Sequence, residues 1–105
     1  MKKISLLGAT GSIGLQTIDI IASNPEKFQL VALSAGRNIE KTKEIIRLTN
    51  PELVSVQQEE DARRLQAEFP QIQFTYGKQG LVEVATHPDT TVFVNAVLGS
   101  VGLES

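Results

Sequence analysis

A glycine-rich turn between an apolar strand and a helix is the feature that most constrains how this chain can fold. The segment Lys3–Ile21 reads KISLLGATGSIGLQTIDII, and its glycines follow a GxxGxxG spacing. In such a spacing Gly8 permits a sharp turn at the end of the strand. Gly11 lets a phosphate approach the backbone, and Gly14 lets the helix pack closely on the strand. Because a helix start has unpaired N–H groups and a positive dipole end, the pattern predicts a turn that binds the phosphates of a dinucleotide.

Strand-like and helix-like segments alternate along the rest of the chain. The strand-like segments are short and mostly apolar, and a segment with helical periodicity lies between each pair of them. This alternation is typical of a parallel sheet with helices on both faces. We therefore predict an α/β fold, a Rossmann-like doubly wound parallel sheet of about five strands in the order 3-2-1-4-5. The predicted strands are Ile4–Leu7, Phe28–Ser34, Leu53–Val56, Gln73–Thr75 and Thr91–Ala96.

Two of the predicted helices carry specific expectations. Asn38 is of a residue type that caps helix amino termini, and it precedes the second helix. The fourth helix is predicted from Gly80 to Thr86, with Leu81, Val84 and Ala85 facing the sheet.

Composition limits the classes of protein to consider. A chain of 105 residues is long enough for one domain with a modest core. Its net charge of -2 gives no general attraction to nucleic acid, and the absence of cysteine leaves no disulfide, thiolate metal site or cysteine nucleophile. No apolar run approaches the roughly 20 residues that cross a bilayer. We expect a cytoplasmic domain that binds neither nucleic acid nor membranes.

The end of the second predicted strand indicates which dinucleotide is bound. NAD-binding domains of this class place an acidic residue about 20 residues after the glycines, where it binds the ribose 2′-hydroxyl. This chain instead reads Ser34-Ala35-Gly36-Arg37-Asn38 there. A guanidinium suits a 2′-phosphate, so Arg37 favours NADP over NAD.

Three motifs together resemble one enzyme family. They are LLGATGSIGLQTIDII at Leu6–Ile21, AGRN at Ala35–Asn38 and NAVLGSVGL at Asn95–Leu103. At these spacings the chain is similar, over essentially all of its residues, to the amino-terminal part of the 1-deoxy-D-xylulose 5-phosphate reductoisomerases. The resemblance implies pyrophosphate contacts at Thr10, Gly11, Ser12 and Ile13, 2′-phosphate contacts at Gly36, Arg37 and Asn38, and a further position beside NADPH at Ala96.

The resemblance also implies a reaction that this chain does not carry out by itself. Members of the family rearrange their sugar-phosphate substrate and reduce it with NADPH to 2-C-methyl-D-erythritol 4-phosphate, using Mg²⁺ or Mn²⁺. Their metal ligands and catalytic residues lie beyond the position that matches Ser105, and their full-length chains form homodimers. We therefore interpret residues 1–105 as an incomplete NADPH-binding domain, without catalytic or metal-binding residues and inactive alone.

Other groups in the chain carry weaker signals. His87 precedes Pro88 and Asp89 in a loop and is interpreted as a solvated turn residue. The cluster Glu59-Glu60-Asp61 opens a predicted helix, where acidic side chains favour the dipole, so no metal site is assigned to it.

Two alternative functions remain open from the residues. One is the NADP-binding domain of a semialdehyde or acyl-phosphate reductase, a class that needs a cysteine nucleophile absent from these residues. The other is a nucleotide-sensing module without enzymatic activity. A short-chain dehydrogenase is disfavoured because Tyr76 has Gly80, not lysine, four residues later.

Overall fold

The computed structural model describes residues 2–36 and 38–96 as five strands and four helices in alternation. The strands are β1 (Lys2–Leu7), β2 (Phe28–Ser34), β3 (Leu53–Val56), β4 (Gln73–Tyr76) and β5 (Val92–Asn95). The helices are α1 (Ser12–Ser23), α2 (Ile39–Thr49), α3 (Glu59–Glu68) and α4 (Gly77–Ala85). Arg37 and most of the NAVLGSVGL motif, from residue 97 onward, lie outside the described residues.

All five strands pair in parallel in one sheet, in the order β4-β3-β2-β1-β5. The predicted Rossmann-like α/β fold is therefore confirmed, but the predicted order 3-2-1-4-5 is wrong in the position of β4. That strand pairs with β3 because α3 packs against both strands and buries Leu65 there. Helix α4 then crosses the sheet from β4 to β1, and β5 pairs on the far side of β1. Strands β2, β3 and β4 thus follow one another on one side of β1, and β5 lies on its other side, so chain order reverses between β1 and β5.

The central strands are apolar because both of their faces are covered. Leu6, Leu33 and Val54 are fully buried in the main core, which α1, α2 and α3 complete from one face. Val31 and Ala32 belong to a smaller cluster on the other face, which α4 covers. Three helices thus cover one face of the sheet, and one helix covers the other.

Helix α4 approaches the sheet more closely than a side chain at its contact point would allow. A Cβ on Gly80 would lie 2.2 Å from the Oγ of Ser55 in β3. Val84, one turn later, is fully buried, whereas Leu81 is 41% exposed and Ala85 is also exposed. The prediction that Leu81 and Ala85 face the sheet is therefore wrong, because the helix turns Gly80 and Val84 toward it.

The amino terminus of α2 is capped as predicted. Asn38 Oδ1 accepts a hydrogen bond from the backbone N–H of Lys41 at 3.1 Å. This bond satisfies one of the unpaired donors of the first turn and stabilises the helix by about 1 kcal/mol.

Among the helices within residues 2–36 and 38–96, none is both long enough and apolar enough to cross a membrane.

Candidate dinucleotide site

The glycine-rich turn joins β1 to α1 in a shape that two of its glycines determine. Gly8 has φ +78°, a conformation that residues with a side chain rarely adopt. A Cβ on Gly14 would lie 2.1 Å from the carbonyl oxygen of Gly8, so α1 packs directly on the turn. A Cβ on Gly11 would have only an ordinary contact, 3.6 Å from the same oxygen. The fold itself therefore requires Gly8 and Gly14, whereas it would tolerate a Cβ at Gly11.

Hydrogen bonds tie this turn to the end of β2 and the loop after it. Ser34 Oγ accepts from the N–H of Gly8 at 2.9 Å, and the Ser34 carbonyl accepts from Ala9 at 2.8 Å. Thr10 Oγ1 accepts from the N–H of Gly36 at 3.1 Å. The Thr10 hydroxyl therefore already has a structural role, which holds the first turn against the loop after β2.

A cavity of about 520 Å³ lies at the carboxyl edge of the sheet, above these loops. Its size is within the range of roughly 300–1,000 Å³ that is usual for small-molecule sites. The described residues that line it are Gly8, Thr10, Gly11, Ser34, Ala35, Gly36, Ser55, Val56, Gln57, Gly77, Lys78, Leu81 and Ala96. None of them carries a carboxylate, and Lys78 is the one charged side chain among them. The cavity therefore suits an anionic ligand.

The structure brings half of the predicted site residues into the cavity wall. Thr10, Gly11, Gly36 and Ala96 line it. Ser12 and Ile13 lie beside it at the exposed start of α1, and Asn38 turns its side chain to the cap of α2. Arg37, the eighth predicted residue, lies outside the described residues.

Sequence reasoning missed the part of the wall formed by β3, the residue after it and the start of α4. This part contributes Ser55, Gln57, Gly77 and Lys78. No local pattern marks these residues as functional, and the predicted strand order placed β4 away from β3. Correct pairing of β4 with β3 is what brings the first turn of α4 to the cavity.

The amino terminus of α1 faces this site, and no side chain accepts a hydrogen bond from its first backbone N–H groups. Gly11 is the N-cap residue, and no side chain caps the helix. The first turn of α1 also contains no acidic residue. The helix therefore keeps the unpaired N–H groups and positive dipole end that bind a phosphate.

Ser55 provides a testable feature of the cavity wall. Ser55 is only 1% exposed, and its Oγ has no hydrogen-bond partner within the described part of the chain. A buried hydroxyl without a partner costs roughly 1–3 kcal/mol. We predict that Ser55→Ala raises the free energy of unfolding by about 1 kcal/mol, measured by urea denaturation of the ligand-free chain. A loss of stability would show that the hydroxyl is hydrogen-bonded in solution.

A second polar cluster lies at the opposite, amino-terminal edge of the sheet. Glu52, His87 and Asp89 present ligand-type atoms within 4.8 Å of one another. The imidazole of His87 accepts from the N–H of Asp89 through Nδ1, at 3.2 Å, and its Nε2 lies 3.5 Å from a carboxylate oxygen of Glu52. Both ring nitrogens thus have partners within the chain. The side chain of His87 is only 11% exposed, so its interpretation as a solvated residue was wrong.

Two residues of the acidic cluster at the start of α3 form ion pairs on the helix surface. Glu59 pairs with Arg63 at 2.6 Å and Glu60 with Arg64 at 3.0 Å, each one turn apart. All four side chains are largely exposed, so these pairs stabilise the helix only slightly.

A parallel sheet with a glycine-rich first turn and a cavity where the chain order reverses defines a Rossmann-like nucleotide-binding architecture. The sequence model of the 1-deoxy-D-xylulose 5-phosphate reductoisomerases matches residues 4–105. This chain belongs to that family.

Individual relatives agree with this assignment. The chain is 70% identical over 105 residues to the 1-deoxy-D-xylulose 5-phosphate reductoisomerase of Lysinibacillus sphaericus (strain C3-41) and 58% identical over 103 residues to that of Listeria monocytogenes serotype 4a (strain HCC23). These alignments cover 100% and 98% of this chain, but only 28% and 27% of the relatives. The chain therefore corresponds to rather more than a quarter of their length.

Two solved structures are also similar. The Zymomonas mobilis reductoisomerase in complex with NADPH matches 84% of this chain and 24% of its own, with a TM-score of 0.76 and 29% identity. A reductoisomerase in complex with NADPH, fosmidomycin and magnesium matches 91% of this chain and 24% of its own, with a TM-score of 0.84 and 24% identity. The second likeness supports the fold. The family resemblance inferred from the three motifs is thus confirmed.

Proposed function

We propose that this chain is the NADPH-binding portion of an enzyme that converts 1-deoxy-D-xylulose 5-phosphate to 2-C-methyl-D-erythritol 4-phosphate. The observation that carries the proposal is the cavity of about 520 Å³ at the carboxyl edge of the sheet, where the glycine-rich turn meets the end of β2. Family membership supports the reaction. The Zymomonas mobilis relative, solved in complex with NADPH, supports the cofactor.

The turn between β1 and α1 has the properties that a pyrophosphate requires. Because Gly11 has no side chain, phosphate oxygens can approach the backbone there without meeting one. The uncapped amino terminus of α1 supplies N–H donors at the same place. Ser12 and Ile13, the first residues of this helix, are proposed to donate through their backbone.

The loop after β2 is proposed to bind the adenosine 2′-phosphate. No carboxylate lines the cavity among the described residues, so a dianionic phosphate meets no repulsion from its wall. Arg37 follows Gly36 directly and is proposed to pair with the phosphate, together with Asn38. This arrangement would favour NADPH over NADH.

The nicotinamide end of the cofactor is proposed to lie near Ala96. This residue follows β5 and donates its backbone N–H to the carbonyl of Leu7 at 2.9 Å, so it stands where chain order reverses. NADPH would supply a hydride there, and the role of this chain is to hold and orient the cofactor.

The residues of this cavity do not suit a divalent cation. Mg²⁺ and Mn²⁺ prefer carboxylate oxygens, and the described lining contains none. Ligands for the cation of the whole enzyme are therefore proposed to come from the part of the relatives that these 105 residues do not match.

Calorimetric titration of the purified chain with NADPH and with NADH tests the proposed function. We expect tighter binding of NADPH, and we expect Arg37→Ala to weaken NADPH binding about tenfold while NADH binding changes little, because one charge-assisted contact is lost. Arg64→Ala is the matched control, since it removes the same charge from an exposed pair on α3. Equal affinity for the two nucleotides, or no binding of either, would contradict the proposal.

A further inference from the structure

Lys78 occupies a position in the cavity that the proposed contacts with NADPH do not use. It lies in the first turn of α4 and lines the same cavity as Gly36. Its side chain is exposed, and within the described part of the chain it forms no ion pair. Its charge is therefore available to a ligand.

The strand order places Lys78 across the cavity from the loop after β2. Strand β3 separates β2 from β4, and α4 begins directly after β4. Two strand spacings amount to about 10 Å, so a ligand at the end of β2 lies within one cavity width of the start of α4. A lysine ammonium on its flexible four-carbon stem can reach into that space.

The backbone at the start of α4 leaves room for a ligand. Gly77 has φ +69°, and nothing lies within 4 Å of the position that a Cβ would take there. No side chain caps this nine-residue helix, so its first N–H groups and positive dipole end add to the charge of Lys78.

A buried polar group beneath the same turn indicates an unfilled contact. Ser55 lines the cavity, and its Oγ lies under Gly80 without a hydrogen-bond partner in the described residues. Buried hydroxyls usually have partners. A lysine, an uncapped helix terminus and an unpartnered hydroxyl thus meet on one wall of the cavity.

We propose that Lys78 and the first turn of α4 form a second anion contact, which binds the adenosine 2′-phosphate from the side of the cavity opposite Gly36. The inference rests on the proposed function and makes Lys78 a determinant of cofactor specificity. A second cation at this position favours a phosphate dianion over the neutral 2′-hydroxyl of NADH.

Titrations of the 105-residue chain test this assignment. The probes are NADPH and NADH, with adenosine 2′,5′-bisphosphate and adenosine 5′-monophosphate as a smaller pair that also differs only in the 2′-phosphate. We expect Lys78→Gln to weaken binding of NADPH and the bisphosphate about fivefold, leaving the affinities of NADH and the monophosphate within about twofold. Lys27→Gln is the matched control, because it removes one positive charge at the amino-terminal edge of the sheet, away from the cavity.

The outcomes separate this inference from the proposed function. If the unmodified chain prefers NADPH but Lys78→Gln binds it equally well, the role of Lys78 is wrong and the proposed function stands. An equal loss of affinity for NADPH and NADH would show that the lysine contacts a part of the cofactor that both nucleotides share. This result would overturn the 2′-phosphate contact. Binding of neither nucleotide by the unmodified chain would overturn both. Because Lys78 is exposed, we expect unchanged thermal unfolding of the variant without ligand.

Discussion

Replacing Gly14 with alanine is expected to reduce the free energy of unfolding by at least about 3 kcal/mol, a large part of the stability of a domain of this size. The added Cβ would lie 2.1 Å from the carbonyl oxygen of Gly8 and 2.8 Å from the Cα and carbonyl carbon of Ala9. All of these are backbone atoms, so no side-chain rotation relieves the clash. The strain must separate α1 from β1 and disturb the burial of Ile18.

Urea denaturation followed by circular dichroism measures this effect, and Gly11→Ala is its matched control. The same methyl group at Gly11 would meet only an ordinary contact of 3.6 Å, and the φ of Gly11 is -79°, which alanine adopts without strain. We expect Gly11→Ala to cost no more than about 1 kcal/mol, the usual effect of a changed N-cap residue. Equal stability of Gly14→Ala and the unmodified chain would show that α1 does not pack on the turn as the structure describes.

Replacing Gly80 with alanine is expected to destabilise the fold by roughly 2 kcal/mol, in spite of the better helix propensity of alanine. The new Cβ would lie 2.2 Å from Ser55 Oγ and 3.1 Å from Thr75 Cγ2. Because α4 contacts four of the five strands, it cannot move away from β3 without disturbing the whole second face. Thermal unfolding should show a fall of about 10 °C in Tm.

A double-mutant cycle identifies the atom responsible. Ser55→Ala removes the hydroxyl that the new methyl group meets, so we expect Ser55→Ala/Gly80→Ala to be more stable than the sum of the two single effects, by about 0.5 kcal/mol. Recovery should be incomplete because the contacts with Thr75 Cγ2 and Ser55 Cβ, at 3.1 and 3.2 Å, remain. Strictly additive effects of the two substitutions would contradict the close approach of α4 to Ser55.

Much of the candidate site was predictable because its signals are local. The order of strand, glycine-rich turn and helix is written in consecutive residues, and the structure confirms the turn at Gly8 and the close packing at Gly14. The cap at Asn38 was predictable for the same reason, since it depends on residues three positions apart. The roles of Ser12, Ile13 and Arg37 toward NADPH stay predictions until the titrations are done.

The remainder of the cavity was not predictable from local patterns. Ser55 belongs to a segment that reads as an ordinary buried strand, and Lys78 precedes the predicted start of the fourth helix at Gly80. Their role as lining residues depends on which strand lies beside β3, a contact between distant parts of the chain. The burial of His87 against Glu52 was missed for the same reason, because the two residues lie at the same edge of the sheet but far apart in sequence.

The sequence by itself determined the parallel α/β architecture, the glycine-rich turn and the family, because alternating periodicity, glycine spacing and local motifs need only neighbouring residues. The tertiary structure decided the place of β4, and with it the wall of the cavity that α4 supplies. Parallel strands with similar apolar patterns carry no signal for their order. That order follows from how the helices bury their apolar faces, Leu65 of α3 on one side of the sheet and Val84 of α4 on the other.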